Sequence, residues 1–333
     1  RTREPLAKAS LRHLEAVAAL QSGDRAAALA SWTANIRDLP LSWPALVAAA
    51  RLAAAGHPAP PPLSAPPAAA PEPADFKLPP PAALLQRLGL DDEAEDWLRE
   101  HEAEVSRTWG PRSGEAMCSL FGQLAPGYRR HQQSLRAVPA ALLSAAPSPA
   151  SRWAWECRYP RPYSRLVQEL QSRDSLPSGL VYAIMRQESS FRPEARSPVG
   201  ALGLMQLMPT TARKIAEETS TPYDPALLRN PADNLDLSAR YLARLLRDLD
   251  GHLPLVVAAY NAGPKAVGRW LERAGELPLD LWVARIPFGE TRRYVAHVMG
   301  NLARYRYMEQ GEPGLPTIDL TLPKGIEVPA DAY

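Results

Sequence analysis

The chain has 333 residues, 46% of them hydrophobic, with a formal net charge of +2 and two cysteines. That length allows two or more domains around a large buried core, and the nearly balanced charge gives no support to a nucleic-acid partner. Two cysteines are too few for a disulfide framework and have no metal-ligand spacing, so Cys118 and Cys157 are either one pair or two separate buried thiols.

Residues 1–57 form a helical, repeat-like region, with helices expected at Leu11 to Leu20, Arg25 to Ile36 and Trp43 to Ala54. Ser22-Gly23-Asp24 and Leu39-Pro40 break them and Gly56 closes the third. Rich in alanine and leucine around Trp32 and Trp43, they have the character of helix pairs that bury their faces by stacking, although no clean period recurs. Residues 58–81 are dense in proline, whose missing amide donors exclude regular helix, and make a linker or an extended strap. A proline-motif ligand for a partner domain is the functional alternative.

Helical patterning resumes over residues 82–159, from Ala82 to Val105 and from Ser113 to Leu124, then loosens toward Arg158-Tyr-Pro-Arg-Pro162. This proline punctuation sets a domain boundary near residue 160. Residues 160–310 are again helical, at Tyr163 to Ser172, Ser178 to Ser189, Pro209 to Glu218, Pro231 to Leu249, Leu253 to Asn261, Pro264 to Ala274 and Gly289 to Met308. Asn230-Pro231 has the form of an N-cap followed by proline at the first helical position, and Gly263-Pro264 stops one helix and starts the next. The segment from Ser197 to Met208 holds too much glycine for a helix and is expected as a loop or small hairpin. Residues 311–333 form an irregular tail.

No apolar run reaches eighteen residues, so no membrane-spanning helix is expected. The start at Arg1, without methionine or leader, is that of a processed or trimmed chain, and localisation is not legible from it. Residues 161–310 carry a small excess of basic side chains, which suits an anionic polymer or simply a solvated surface.

One residue breaks the apolar logic. Leu180, Val181, Ile184 and Met185 recur at helical spacing, and Glu188 falls one turn beyond Ile184 on the same stripe. A carboxyl there is desolvated, which raises its pKa and suits it to be a general acid; a helix-end glutamate reaching water is the plainer alternative. Around it stand Glu188-Ser-Ser-Phe191, Ser197-Pro-Val-Gly-Ala-Leu-Gly-Leu-Met-Gln206-Leu-Met208-Pro209, Ala259-Tyr260-Asn261-Ala-Gly263-Pro264 and Ile286-Pro-Phe-Gly-Glu290-Thr-Arg-Arg-Tyr294-Val. Together these blocks resemble the lytic transglycosylases with a goose-lysozyme-like catalytic domain, and the helical N-terminal region resembles the soluble, superhelical branch of that family.

The resemblance implies a mainly α fold, in which a solenoid-like N-terminal region precedes a lysozyme-like catalytic domain. It implies cleavage of the MurNAc–GlcNAc β-1,4 bond of peptidoglycan without water, leaving 1,6-anhydroMurNAc ends, with Glu188 as acid and then base. A hydrolytic lysozyme of the same fold and a non-catalytic glycan-binding scaffold are the competing readings. Gln206 and Met208 match positions lining the sugar groove, one as an amide and one as an apolar wall, with loop packing as their alternative. Ser197 matches a position beside the catalytic acid but also suits a turn.

Tyr260, by the same resemblance, aims its hydroxyl at Glu188 or the substrate acetamido group. Glu290 opens the last helix, where the dipole favours it, and is a candidate for binding the peptide stem. Tyr294 shares a stripe with Val298 and Tyr305 and is expected in the core. No metal or organic cofactor is implied. The expected partners are glycan strands and muropeptides, with cell-wall enzymes as further candidates, in the periplasm or another exported location; oligomeric state stays open.

Overall fold

The computed structural model describes residues 3–66, 74–124 and 127–326, and these are predominantly helical, with no β-strand among them. The first helices, α1 (Arg3–Gln21), α2 (Arg25–Asp38) and α3 (Trp43–Ala54), follow the expected breaks. Asp24 caps α2 by accepting from the Ala27 amide at 3.0 Å, and Ser42 caps α3 with Pro44 just inside it, both favoured helix starts. Val17, Trp32, Ile36 and Leu52 close a core between them.

The next six are α4 (Pro80–Arg87), α5 (Asp91–Glu100), α6 (Glu102–Trp109), α7 (Ser113–Leu124), α8 (Tyr128–Ala137) and α9 (Arg152–Arg158). What looked continuous from Ala82 to Val105 is thus broken, first at Gly89, whose φ of 75° stops α4 and is open to glycine without strain. The stretch that looked loose holds α8 and α9, which are short and carry little apolar signal. Leu98, Met117, Leu120 and Phe121 form a second core. The described parts of the proline-rich segment run as a strap. Leu63 is buried in the main core, the Ala146 amide donates to the Ser64 carbonyl at 2.9 Å, and Phe76 is buried in the second core. Residues 67–73 of that segment, and 327–333 of the tail, lie outside the described residues.

The third group comprises α10 (Ser164–Asp174), α11 (Leu180–Glu188), α12 (Pro209–Glu218), α13 (Pro231–Asp248), α14 (Leu253–Ala262), α15 (Pro264–Glu272), α16 (Leu279–Arg285) and α17 (Gly289–Gln310). Helix α17 is its axis and packs against α11 and α14 through Val295, Val298, Met299 and Leu302, all fully buried. The seven-residue α16 was not expected, being too short to show a period; its first amide, on Leu279, donates to Leu320 of the tail at 2.7 Å. Between α11 and α12 the chain makes only isolated antiparallel bridges, Arg196 with Leu202 and Leu202 with Leu207.

The N-terminal helices clamp onto this third group. Leu41, Trp43 and Val47 share the main core with α11 and α17, and the Arg304 guanidinium donates to the carbonyls of Pro40 and Leu41. Asp280 on α16 is buried and accepts from His13 Nε2 at 2.7 Å and from Arg51 at 2.8 and 2.7 Å. Burial alone would raise its pKa, but the bonds from His13 and Arg51 outweigh it and hold the carboxyl down at about 2, as expected where donors fix the charged form.

Cys118 on α7 and Cys157 on α9 form a disulfide across a sequence separation of 39, which decides the alternative left open by the sequence. A loop of that length restricts the unfolded chain by about 4 kcal/mol in the chain-entropy model. Urea unfolding of Cys157→Ser, or of the native chain under reductant, is expected to show a loss of roughly 2–4 kcal/mol; an unchanged midpoint would show that the bond contributes nothing to stability.

Candidate active site

Glu188 is the last residue of α11, after Leu180, Val181, Ala183, Ile184 and Met185, all essentially inaccessible in the main core. The chain then turns sharply. Ser190 and Phe191 have φ of 53° and 72°, a left-handed conformation that side chains disfavour and that persists only where surroundings impose it. Here Phe191 is fully buried, edge-on to His131 at 5.5 Å, and the Ser189 hydroxyl donates to the Leu204 carbonyl at 2.7 Å. The strained turn thus ties the end of the helix to the glycine-rich loop.

That loop is held from beneath by Asn234 of α13. Wholly buried, its amide donates to the carbonyls of Leu202 and Leu228 at 3.0 Å each and its oxygen accepts from the Met205 amide at 2.9 Å. Gly203 has φ 77°, and a Cβ there would lie 2.3 Å from the Leu228 oxygen, so only glycine allows this approach. Sequence reasoning passed over Asn234; its one signal is an amide on the mostly apolar stripe of α13, one turn before Ser238.

The expected site residues divide in two. Glu188 and Glu290 line one cavity of about 270 Å³, with Gln187, Asn261, Arg293, Tyr294 and His297. Ser197, Gln206, Met208 and Tyr260 do not line it. The Ser197 hydroxyl accepts from the Ala201 amide at 2.9 Å, as a turn-forming serine does. Gln206, at φ 49°, donates its amide to the carbonyls of Ala195 and Gly203 at 3.0 and 2.9 Å. Met208 is half-buried just ahead of α12. Asn261 braces the start of α17, accepting from the Thr291 hydroxyl at 2.6 Å.

The two tyrosines differ in what their hydroxyls reach. The Tyr260 hydroxyl donates to the Met205 carbonyl at 2.9 Å, not to Glu188. Tyr294, expected only as packing, is buried but donates its hydroxyl to Glu188 Oε1 at 2.5 Å. Helical spacing correctly put Tyr294 on the core face of α17; it could not show that the core at that point contains a carboxyl.

Desolvation dominates the acidity of Glu188 and pushes its pKa up to about 7, against the Tyr294 hydrogen bond, which lowers it; the nearby charge of Glu290 raises it further. The position at a helix C-terminus acts in the same sense, because the unsatisfied carbonyls there disfavour an anion. Both tyrosines are in turn pushed well above their usual value by burial and by the Glu188 charge, so they remain hydroxyl donors near neutrality. Glu188 is therefore a partly wetted carboxyl that gains and loses its proton near pH 7.

A carboxyl with a raised folded-state pKa destabilises the fold where it is ionised. The penalty is absent below the unfolded value, 4.5, and is complete above about 7. Glu188→Gln is accordingly expected to be more stable than the parent by about 2–3 kcal/mol at pH 8, after allowance for partial wetting, and by almost nothing at pH 4.5. Denaturant midpoints at the two pH values check this; a gain independent of pH would refute the assignment of the cost to the carboxylate.

Residues 165–283 match the family model of the Transglycosylase SLT domain. The soluble lytic murein transglycosylase of Escherichia coli strain K12 is 39% identical over 163 residues, covering 48% of this chain and 25% of that protein. The crystal structure of the 70 kDa soluble lytic transglycosylase SLT70 from E. coli superposes with a TM-score of 0.62 at 26% identity, over 91% of this chain and 46% of that one. A complex of the 70-kDa soluble lytic transglycosylase with bulgecin A gives 0.68 at 28%, over 93% and 47%. The chain thus spans only part of the length of the relatives it matches. Motif blocks, helical order and the Glu188 cavity agree with these likenesses, and residues 165–283 carry a Transglycosylase SLT domain.

Proposed function

We propose that the protein is a peptidoglycan lytic transglycosylase in which Glu188 is the single acid and base. The observation that carries this reading is the Glu188 carboxyl, with its pKa near neutrality and its hydrogen bond from Tyr294. A protonated Glu188 gives its proton to the oxygen between MurNAc and GlcNAc as the bond from the anomeric carbon breaks. Positive charge at that carbon is met by the substrate's own acetamido oxygen. The Glu188 carboxylate then takes the proton of the muramoyl 6-hydroxyl while that oxygen attacks the anomeric carbon, closing the 1,6-anhydro ring. An attached hydroxyl has a large effective concentration over solvent. Tyr294 steadies the carboxylate between the two proton transfers.

One observation favours the hydrolytic reading: folding brings a second carboxylate, Glu290, into the same cavity, and hydrolytic glycosidases use two. Glu290 is exposed at the first turn of α17, where its charge supports the proton on Glu188. We propose that a glycan strand running beyond the Glu188 cavity meets Ser197, Gln206, Met208 and Tyr260, which stand outside it. The disulfide fits an oxidising compartment, which agrees with action in the periplasm or another exported location.

Mass spectrometry of muropeptides released from purified sacculi is expected to show products lighter by one water than reducing ends. Reducing ends would establish hydrolysis, and no release at all would leave a glycan-binding scaffold. Release by Glu188→Gln at the parent rate would sink the assignment of the acid.

The alkaline limb of kcat/KM, which reports the acid of the free enzyme, is expected near pH 7 and should move in opposite directions in two variants. Tyr294→Phe removes the bond that lowers the Glu188 pKa and moves the limb up. Glu290→Gln removes the charge that raises it and moves the limb down. Shifts of the same sign would contradict the electrostatic account.

A further inference from the structure

The second group of helices carries a cleft of its own, of about 600 Å³, between α6, the start of α7, the end of α8 and the segment leading into α9. It shares no lining residue with the Glu188 cavity. Trp153, in the first turn of α9, is half-buried in its wall. Glu102, Gln133 and Arg136 line it as well, and among the described residues none of these four side chains has a hydrogen bond or ion pair. Arg112 and Glu115, by contrast, hold each other in a fork, the guanidinium donating at 2.8 and 2.9 Å. The disulfide between Cys118 on α7 and Cys157 on α9 joins two of the walls, so the cleft is covalently braced before any ligand arrives.

Two properties select an occupant. The charged side chains of the lining are Glu102, Glu115, Arg112 and Arg136, two of each sign, which favours neither a polyanion nor a cation. An indole face then shares the cleft with a carboxylate, an amide and a guanidinium that have donors and acceptors to offer. A pyranose ring is the complement of both, with apolar C–H faces, a rim of hydroxyls and no charge. The volume lies within the range, about 300–1,000 Å³, of sites that enclose small ligands.

We propose that this cleft is a second glycan site, which holds neutral N-acetylhexosamine units of a strand without cutting them. The inference rests on the reading of the protein as one that acts on peptidoglycan. Nothing in the cleft repeats the arrangement at Glu188, because no tyrosine lines it and the Glu115 carboxylate is taken by Arg112. A polymer held here has a raised effective concentration at the Glu188 cavity, a gain that a short fragment does not share.

The test is calorimetric titration of the full chain carrying Glu188→Gln, which prevents turnover, with N-acetylchitotetraose, a neutral GlcNAc oligomer. One class of sites is expected to vanish on adding Trp153→Ala. Adding Arg136→Ala, at an exposed position that the fold does not depend on, should weaken the same class roughly tenfold, the size of one charge-assisted hydrogen bond. With Glu188 intact, both substitutions should slow muropeptide release from insoluble sacculi by a larger factor than cleavage of a soluble GlcNAc–MurNAc tetrasaccharide.

Binding that neither substitution alters, or an equal loss on sacculi and on the tetrasaccharide, would overturn the inference and leave the catalytic reading standing. Binding that depends on Trp153 and Arg136 in a chain that releases nothing from sacculi would uphold the cleft as a glycan site and remove the catalytic reading instead.

Discussion

A carboxyl that exchanges its proton near neutrality needs a surrounding that makes its charge expensive without sealing it from the substrate, and the rest of this molecule depends on that constraint. Removing a carboxylate from water is costly enough that isolated buried acids stay neutral. Glu188 is placed between the extremes, on the last position of an apolar helix and open on one side to a cavity. Tyr294 then works against the desolvation. Burial alone would hold the proton more firmly; the phenol bond lowers the pKa and brings the two forms closer in free energy.

Holding that balance requires the helix end to stay still, which explains the strain around it. Ser190, Phe191 and Gln206 all have left-handed backbones, and each is fixed by a separate device: the buried Phe191 ring, the Ser189 hydroxyl on Leu204, and the Gln206 amide on two carbonyls. Conformations of this kind persist where surroundings over-determine them, and they cluster at functional sites. Asn234 has the same part for the loop, since its three bonds tie the backbone of Leu202 and Met205 to that of Leu228. Neutral His131, pushed down to about 3 by burial and by Arg186 and Arg158, packs against Phe191 as a ring without bringing another charge near the site.

Much of this was legible in the sequence, for identifiable reasons. Glu188 could be found because an acid on an apolar stripe violates a local rule, and helix ends such as Asn230-Pro231 could be placed because caps act within a few residues. The fold class followed from the same local signals and from the motif blocks. What could not be read was the partner of each group. Tyr260 and Tyr294 both end or continue apolar stripes, and which hydroxyl reaches the carboxyl depends on how α14 and α17 cross α11, a matter of packing geometry with no period of its own. Asn234 was passed over because two of its three partners, Leu202 and Met205, lie in a loop some thirty residues away. Helices α8, α9 and α16 were missed or blurred because each is too short to establish periodicity, and the cysteine pairing needed two helices to be brought side by side.

The attachment of the N-terminal helices shows why their position matters to the site as well as to stability. Replacing a buried ion cluster by well-packed apolar residues is often neutral or stabilising, so the His13–Asp280–Arg51 cluster is weak evidence of a contribution to stability alone. Its distinctive property is direction. An apolar seam between α1 and α16 would be free to slide, whereas a bidentate guanidinium and an imidazole on one carboxylate fix a single register. Asp280 and His13 also line, with Arg293, a chiefly apolar pocket of about 330 Å³. The charge cluster therefore fixes the spacing of the α1, α3, α16 and α17 walls of that pocket, and α17, which carries both Arg293 and Tyr294, refers the pocket and the Glu188 carboxyl to the same helix.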